Sequence, residues 1–195
     1  AVAWTATKKM QLNAALHGLE WIQPNEQSLI NEIQSAIAAA VPGWPDDFPC
    51  DMTHDLSATR FLRGHSNDPK LAAHAMIDAM RFRKQLIADE SVRRLRDKIG
   101  TGVEADMHLI PHADSLLQFI PPICQLDGQS ATGLPVVSMT MRQLDIAGIA
   151  AFLATEEGPQ KFGSFFTGVL EQRALVLHNL SMQQRRMVKT HDLRG

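Results

Sequence analysis

The chain lacks most of the features that mark secreted, membrane-spanning or nucleic-acid-binding proteins. It has two cysteines, Cys50 and Cys124, among 195 residues, and two cysteines so far apart do not form the framework of a disulfide-stabilised domain. No hydrophobic run approaches the roughly 20 residues that a membrane-spanning helix requires. The formal net charge is -2, which argues against non-specific nucleic-acid binding as the main role. We therefore expect a cytoplasmic or peripheral membrane protein in a reducing compartment.

The first residues allow a different location. The sequence begins Ala1-Val2-Ala3 without a methionine, and small residues of this kind also occur where a targeting peptide has been removed. An organellar protein with a cleaved targeting peptide is therefore a second interpretation.

The sequence also lacks the motifs on which many enzymes depend. No phosphate-binding GxxxxGK[ST] or GxGxxG loop is present, and Ser164 lies outside a G-x-S-x-G nucleophile elbow. His108 and His112 have the spacing of paired metal ligands, but Pro111 interrupts the helix that would align them. Cys124 lies in a predicted strand, where we expect a small core residue. We therefore predict a protein without catalytic activity and without a metal or cofactor.

Positive charge is distributed unevenly along the chain. Two basic runs occur, one after Lys84 and one near the end of the sequence; they contain Arg93, Arg94, Arg96 and Lys98, and Arg185, Arg186 and Lys189. Such a run usually forms the solvated face of a helix. The alternative is a contact with anionic lipid headgroups, because polybasic segments are attracted to negatively charged membranes.

Hydrophobic residues make up 45% of the chain, enough to form a core, and they first recur in helical patterns. Residues 1–49 are predicted to form a helical extension, in which apolar positions recur every three or four residues from Asn25 to Val41. Prolines in the segment from Pro42 to Pro49 end this helix. We expect Trp44 and Phe48 to dock that loop onto a neighbouring element.

Residues 50–105 are predicted to form a helical domain. Asp55 is positioned to cap a helix that runs from Leu56 to Arg63. Arg60 and Arg63 are three residues apart and share a face of this helix. We expect these two arginines to link helices rather than to hold a phosphate group.

A longer helix follows in the same predicted domain. Gly64 fits a left-handed end of the preceding helix, and Asn67 or Asp68 is positioned to cap the longer one, with Pro69 in its first turn. Its predicted apolar stripe contains Leu71, Ala72, Ala75, Met76, Ala79, Phe82, Leu86 and Ile87. A further short helix is predicted to begin at Asp89 and Glu90.

Residues 106–195 show a different pattern, with more prolines and more β-forming residues. Strands are predicted for Ile120–Leu126 and Leu134–Met141, joined in a hairpin by a turn at Asp127–Gly133. Asp145 is positioned to cap a helix. A long helix then runs from about Gln160 to Met182 and is apolar on much of its circumference, so we expect it to be buried. A last strand is predicted for Met187–His191.

Two segments of the helical part resemble motifs of a known family. The segment Arg60–His65 reads RFLRGH and is similar to an RFLRA/G helix. Lys70–Ala72 followed by Arg81–Lys84 is similar to a helix that ends in an aromatic residue, arginine and lysine, with Phe82 in place of the usual tryptophan.

Two further segments continue the resemblance in the same order. Asp127-Gly128 through Val136 is similar to a D-x-x-G-R-P-V hairpin, with Leu134 where an arginine is common. The segment Arg185–Gly195, which ends in DLRG, is similar to a strand that ends in D-L-x-G. Together the four segments resemble the CRAL-TRIO family of lipid-transfer proteins over about residues 50–195.

The resemblance implies a fold and a function. The fold class is then α/β and predominantly helical overall, with an N-terminal helical tripod followed by a partial CRAL-TRIO α/β domain. The implied function is non-catalytic binding, and transfer between membranes, of a phospholipid or isoprenoid held in an apolar pocket. The residues that we expect to contact this lipid are Val137, Met139, Met141, Phe165, Phe166 and Val169.

The end of the sequence motivates a second hypothesis. In the family the D-L-x-G turn lies near the middle of the lipid-binding domain, whereas this sequence stops at Gly195, so residues 106–195 are expected to supply the first half. Half of a sheet leaves an unpaired edge and an open apolar face. Either the second half exists outside the given sequence, or a protein partner covers the edge of the sheet. In the second case the chain is a degenerate CRAL-TRIO fold that serves as a structural accessory subunit.

Overall fold

The computed structural model describes residues 22–104, 106–120, 125–129, 135–138 and 144–184. These residues are predominantly helical and divide into two compact units. The first unit contains the described residues up to Ala88 together with 181–184, and the second contains those from Asp89 to Leu180. The division places the helix predicted in the N-terminal extension in the same unit as the helices that follow it.

The described part of the first unit contains α1 (Gln27–Ala40), α2 (Cys50–Thr53), α3 (Asp55–Gly64) and α4 (Pro69–Ala88). The predicted stripe of α1 is confirmed, because its isoleucines at three- and four-residue spacing are fully buried. These isoleucines and their partners form one hydrophobic core, which includes Ile30, Ile33, Ile37, Met52, Leu62, Met76 and Met80.

The proline-rich loop after α1 packs on this core. Phe48 is buried, Trp44 is partly buried against the core, and their ring centroids lie 5.3 Å apart. The Lys84 ammonium group of α4 lies 5.3 Å from the centroid of the Phe48 ring, a distance at which a cation is attracted to the ring face. The predicted docking of Trp44 and Phe48 is confirmed.

The start of α3 differs from the prediction. His54, not Asp55, caps the helix, because its Nδ1 accepts a hydrogen bond of 3.0 Å from the Leu56 amide. Asp55 lies in the first turn, where its carboxylate accepts a hydrogen bond from the Gln34 side chain of α1. An aspartate one residue inside a helix can therefore serve a tertiary contact when its predecessor caps the helix.

The turn between α3 and α4 also differs in part. The predicted left-handed helix end at Gly64 is wrong, because Gly64 is the last residue of α3 and the residues with positive φ are Ser66 and Asn67. Asp68 caps α4 as predicted, and its carboxylate accepts hydrogen bonds from two amides of the first turn at 2.9 and 3.1 Å.

The second unit contains α5 (Glu90–Ile99), a 3₁₀ turn (Met107–Leu109), α6 (Ala113–Leu116), β1 (Gln125–Gln129), β2 (Pro135–Ser138), α7 (Ile146–Leu153) and most of α8 (Gly158–Gln184). A second hydrophobic core includes Met107, Ile110, Ala113, Leu116, Ile120 and Phe165. The long helix predicted near the end of the sequence is confirmed as α8, which starts two residues earlier and ends two later than predicted.

The predicted α/β fold class is wrong. β1 and β2 pair antiparallel as a two-stranded hairpin, and the part of the chain that the structure describes contains no other strand. Residues 106–120, which precede the hairpin, form short helical turns. Two strands do not provide a sheet face on which several helices can pack. The α/β expectation came from the family resemblance, whereas the strand periodicity of the sequence supported little more than the hairpin.

In its described part, the first strand of the hairpin extends further along the sequence than predicted. β1 begins at Gln125 and includes Asp127 and Gly128, which were predicted to lie in the turn. The register slips between Leu126 and Gly128, as occurs when a strand contains a β-bulge. The strand predicted for Met187–His191 lies outside the described residues.

Polar contacts along one side fix α8 within the second unit. The Glu171 carboxylate and the Arg96 guanidinium of α5 form an ion pair of 2.7 Å, and both side chains are largely buried. Gln172 Nε2 donates a hydrogen bond of 2.7 Å to the Asp106 carbonyl. Asn179 donates hydrogen bonds of 3.0 and 2.8 Å to two carbonyl oxygens that follow α5. These contacts determine which side of α8 faces inward.

Two glycines on α8 test this placement. A methyl group at Gly168 would approach side-chain atoms of Ile110 and Pro111 to 2.8 Å, whereas a methyl group at Gly163 would meet nothing within 4 Å. We expect Gly168→Ala to lower the free energy of unfolding by about 1–3 kcal/mol through over-packing. Gly163→Ala is expected to raise it by up to about 1 kcal/mol, because alanine favours the helix. Urea unfolding followed by circular dichroism measures both, and equal effects would contradict the placement.

Asp89, the cap of α5, is expected to make stability depend on pH. Its carboxylate accepts hydrogen bonds from the Ser91 hydroxyl and amide at 2.6 and 2.7 Å, and these bonds lower the pKa of Asp89. A carboxyl with a lowered folded-state pKa stabilises the fold above its unfolded-state value of about 3.9, and this stabilisation is lost as the pH falls through the folded-state pKa.

We therefore expect Asp89→Ala to lower the free energy of unfolding by about 1 kcal/mol near neutral pH and by less in acid. Urea unfolding at several pH values between neutral and acidic measures the difference. The exposed Asp97 of the same helix provides the control, since Asp97→Ala removes a carboxylate that caps nothing. A loss of equal size for both variants, or one that does not change with pH, would count against the cap.

Candidate functional site

The helix α8 presents two different sides. Phe165 is fully buried in the second core, and Gly168 lies against Ile110 and Pro111. On the other side Phe166 and Leu170 are 36% and 59% exposed. Side chains four residues apart are neighbours on a helix, so these two form a continuous apolar surface in solvent.

Phe162 extends this surface by one turn. Its ring centroid lies 4.7 Å from that of Phe166, and the Phe166 ring meets Phe165 edge to face at 5.9 Å. We call Phe162, Phe166 and Leu170 the α8 apolar face. The Phe162 and Phe165 contacts hold the Phe166 ring in place, so this part of the surface is preformed rather than adaptable.

A cation lies in line with the α8 apolar face. Arg173 is three residues after Leu170 and eleven after Phe162, which places it on the same side of the helix, and it is exposed. The arrangement combines an apolar surface with one positive charge at its end. A molecule with a hydrocarbon chain and a negatively charged group matches this combination.

The helix α7 is apolar but has no buried residue. Its sequence reads IAGIAAFL, and Ile146 in the first turn is 74% exposed. Ile149 and Phe152 pack in part against the second core, which leaves the opposite side of the helix in solvent. An all-apolar helix normally requires cover on most of its surface, so α7 offers a second surface for a hydrophobic partner.

The structure describes the side chains of three of the six predicted lipid-contacting residues, namely Phe165, Phe166 and Val169. Met139 and Met141 lie outside the described residues, and for Val137 the structure gives the backbone pairing with Leu126 in the hairpin. Phe165 is a core residue, and Val169 packs in part against the same core. Phe166 is the predicted residue that the structure leaves exposed.

Sequence reasoning missed Phe162, Leu170 and Ile146 as binding candidates. Phe162 and Leu170 carried a usable signal, because they flank Phe166 at intervals of four residues. The sequence gave no signal that Ile146 is exposed, since an apolar residue in the first turn of a short helix is usually buried. Its exposure depends on how α7 is placed, which a local pattern does not specify.

The arginines of the first motif act within the protein. Arg63 donates two hydrogen bonds, of 2.6 and 2.7 Å, to the buried Glu26 carboxylate, and the bond to Glu26 raises the pKa of Arg63. Arg60 donates a hydrogen bond of 2.8 Å to the Ser181 hydroxyl, and burial lowers the pKa of Arg60. The prediction that these arginines link elements of the fold is supported by both contacts.

The cations of the second motif also bind neighbouring segments. Arg83 forms an ion pair of 3.0 Å with the buried Asp51 of α2. Arg81 donates a hydrogen bond of 3.2 Å to the Ala40 carbonyl at the end of α1. Lys84 donates one of 2.7 Å to the Pro42 carbonyl. Cations beside the last carbonyl groups of a helix stabilise its C-terminus, so this motif holds α4 against α1 and α2.

The basic run on α5 is not a uniform positive patch. Arg96 is paired with Glu171 in the interior of the second unit, and Arg94 is paired with Glu90 one turn earlier. The exposed Asp97 lies between the remaining cations. The solvated-face interpretation fits Arg93, Arg94 and Lys98, which are exposed, but not Arg96, which is largely buried. The second run, 185–189, lies outside the described residues.

Among the described residues the structure shows neither a metal-binding group nor a membrane-spanning helix. Within the described ranges, no group of three or more histidine, cysteine, aspartate and glutamate side chains is placed to hold a metal ion. His112 has a left-handed backbone, with φ of 61°, at the start of α6. Among the helices that the structure describes, none combines the length and the apolar character needed to cross a bilayer.

Comparisons with known proteins add no family. No protein-family model, curated protein or solved structure matches this chain. The resemblance to the CRAL-TRIO family therefore stays a prediction from four short segments, and its α/β fold is the part that the structure overturns.

The Arg63–Glu26 pair leads to a stability prediction. Arg63→Met leaves a carboxylate that is 5% exposed without its guanidinium, and we expect it to lower the free energy of unfolding by about 3 kcal/mol. Arg93→Met, which removes an exposed arginine from α5, is expected to change it by less than about 0.5 kcal/mol. Adding Glu26→Gln to Arg63→Met should recover part of the loss. Chemical unfolding measures all three, and similar values for the two single variants would refute a structural role for Arg63.

Proposed function

We propose that the chain is a non-catalytic lipid-binding protein that holds a hydrocarbon chain on the α8 apolar face. The observation that carries the proposal is the exposure of Phe166 and Leu170 at adjacent positions on one helix. Covering such residues removes apolar surface from water, which favours binding by roughly 25 cal/mol per Å². Large apolar side chains grouped on a monomer surface usually mark an interaction site.

The proposed lipid carries a negative charge near its apolar part. Arg173 follows Leu170 on the same side of α8, while the arginines of the two motifs are engaged with Glu26, Asp51 and backbone groups. We therefore assign contact with a phosphate or carboxylate group to Arg173. A phospholipid fits this description better than a neutral isoprenoid.

The first experiment measures lipid bound to the whole chain. The purified protein is extracted and its lipids are identified by mass spectrometry, and uptake of a fluorescent phospholipid from vesicles is titrated. The double variant Phe166→Ser and Leu170→Ser is expected to weaken uptake by about 30-fold, because about 2 kcal/mol of apolar burial is removed. Phe82→Ser, which alters an exposed residue of the first unit, is the control and should bind as the unchanged chain does.

The charge assignment has its own test. Arg173→Gln is expected to reduce uptake of an anionic phospholipid several-fold and to leave uptake of a zwitterionic one nearly unchanged. Absence of extracted lipid together with absence of uptake by the unchanged chain would reject the lipid-binding proposal. Equal losses for both lipids would reject the role of Arg173 alone.

A structural accessory subunit is the second candidate, and α7 favours it. An apolar helix without a buried residue suits the interface of an assembly, where a protein partner covers it. This candidate predicts that the isolated chain is poorly soluble or elutes as aggregates in size-exclusion chromatography at low micromolar concentration. A well-behaved monomer that takes up phospholipid would favour the first candidate.

A further inference from the structure

A buried imidazole caps α3. His54 precedes the helix with an extended backbone, at φ of -71° and ψ of 144°, and it is 5% exposed. Its Nδ1 accepts a hydrogen bond of 3.0 Å from the amide of Leu56, which is also buried. The usual capping side chains are hydroxyls, amides and carboxylates, none of which ordinarily titrates near neutral pH. A histidine cap differs from these, because the ordinary pKa of an imidazole is about 6.5.

The direction of this hydrogen bond specifies the protonation state of the ring. The Leu56 N–H donates, so Nδ1 of His54 must carry a lone pair and the ring proton must lie on Nε2. In the imidazolium form both ring nitrogens carry protons, and Nδ1 is no longer an acceptor. Protonation therefore removes the cap and turns an N–H group of the ring toward the N–H group of Leu56. A buried amide donor that loses its acceptor destabilises the fold.

The charged groups at the start of α3 act on the ring in opposite directions. Asp51 of α2 forms its ion pair with Arg83 of α4, and Asp55 of α3 accepts a hydrogen bond from Gln34 of α1. Both carboxylates are buried, and their negative charges favour an imidazolium. The positive charges of Arg83 and of Arg60, further along α3, disfavour it, and so does burial of the ring. We expect burial and the lost hydrogen bond to outweigh the two carboxylates, because both carboxylates already have partners.

We propose that His54 is a pH-sensitive latch, whose protonation releases the first turn of α3 from α1. That turn contains Asp55, whose carboxylate makes the contact with Gln34. Two further bonds at this junction contain no titratable atom: the Ser57 amide donates to the His54 carbonyl at 2.9 Å, and the Ser57 hydroxyl donates to the Asp51 carbonyl at 2.5 Å. These bonds remain available when the cap is lost, so we expect a local opening rather than loss of the helix.

The latch makes stability fall in mild acid. Because protonation of His54 costs the folded chain a hydrogen bond, the folded chain takes up this proton less readily than the unfolded chain does. Stability rises with pH wherever the unfolded chain binds more protons. The contribution of the latch is therefore complete above about pH 6.5, the ordinary pKa of an imidazole, and is lost as the pH falls below it. The Asp89 cap acts at lower pH, since the ordinary pKa of an aspartate is about 3.9.

Urea unfolding of the whole chain at about pH 7.5 and about pH 5 tests the latch, because these values bracket the ordinary pKa of an imidazole. His54→Asn supplies a capping oxygen that does not titrate. Lowering the pH is expected to raise the unfolding equilibrium constant of the unchanged chain about fivefold more than that of His54→Asn, which is the size of one helix cap. His74→Asn, which removes an exposed histidine of α4, is the matched control and should keep the pH dependence of the unchanged chain.

NMR of the ring nitrogens and amide hydrogen exchange follow the latch in the unchanged chain, so this test does not depend on how a variant folds. Near neutral pH the His54 ring is expected to show a bare Nδ1 and a protonated Nε2. As Nδ1 gains its proton, the protection factors of the Leu56 and Ser57 amides are expected to fall severalfold. That of Ile33, which is buried in the middle of α1, is expected to stay constant, because local openings expose only the amides they contain.

Three outcomes overturn the proposal. One is an equal pH dependence of unfolding for the unchanged chain and for His54→Asn. Another is a His54 ring that carries its proton on Nδ1 near neutral pH. The third is a Leu56 amide whose protection factor is the same at about pH 5 as above the ordinary pKa of an imidazole, whether or not the ring has gained a proton.

Discussion

A guanidinium group taken out of water must keep its carboxylate, and this requirement fixes the contacts of several helices within each unit. Three such pairs occur among the described residues, namely Arg63 with Glu26, Arg83 with Asp51 and Arg96 with Glu171. In each pair the carboxylate is more deeply buried than the arginine. Removing one partner would leave a buried charge without its opposite charge, which is strongly destabilising. Apolar packing tolerates small shifts along a helix, whereas these pairs specify the register.

Two of these pairs, Arg63 with Glu26 and Arg83 with Asp51, show what the cations of the sequence motifs bind. The two helical segments that resemble a lipid-transfer family are rich in arginine and lysine. In the structure Arg63 binds a carboxylate, and Arg81 and Lys84 bind carbonyl groups at or just after the end of α1. Such contacts would be equally useful to any protein with this arrangement of helices. The motifs therefore report how the first unit is held together and say little about a ligand.

The surfaces that could bind a partner occur where the apolar side of a helix is wider than the core that covers it. On α8, Phe165 and the polar contacts hold the inner side against the second core. Phe166 and Leu170 are the apolar residues that this core does not cover. On α4, Leu71 and Phe82 are likewise exposed. Single exposed apolar residues are common on protein surfaces. Phe166 and Leu170 are different, because they are neighbours on one helix and one partner can cover both at once.

The sequence by itself determined the longer helices, some of their ends and part of the first core. Regular apolar spacing specified α1, and a long segment that is apolar on much of its circumference specified α8. Asp68 and Asp145 capped their helices as predicted, because capping depends on a few consecutive residues. The hairpin was also visible, although its register was not. Of Phe165, Phe166 and Val169, the candidate contact residues whose side chains the structure describes, Phe166 is the one exposed to solvent.

Only the tertiary structure decided the fold class and the exposed surfaces. The α/β assignment failed because it depended on how strands would assemble, and the described residues supply two strands that pair with each other. Exposure at Leu71, Phe82 and Ile146 likewise depends on which side of a helix its neighbours cover. A residue pattern shows which positions are apolar, but burial is a property of the packed elements, and distant parts of the chain determine it.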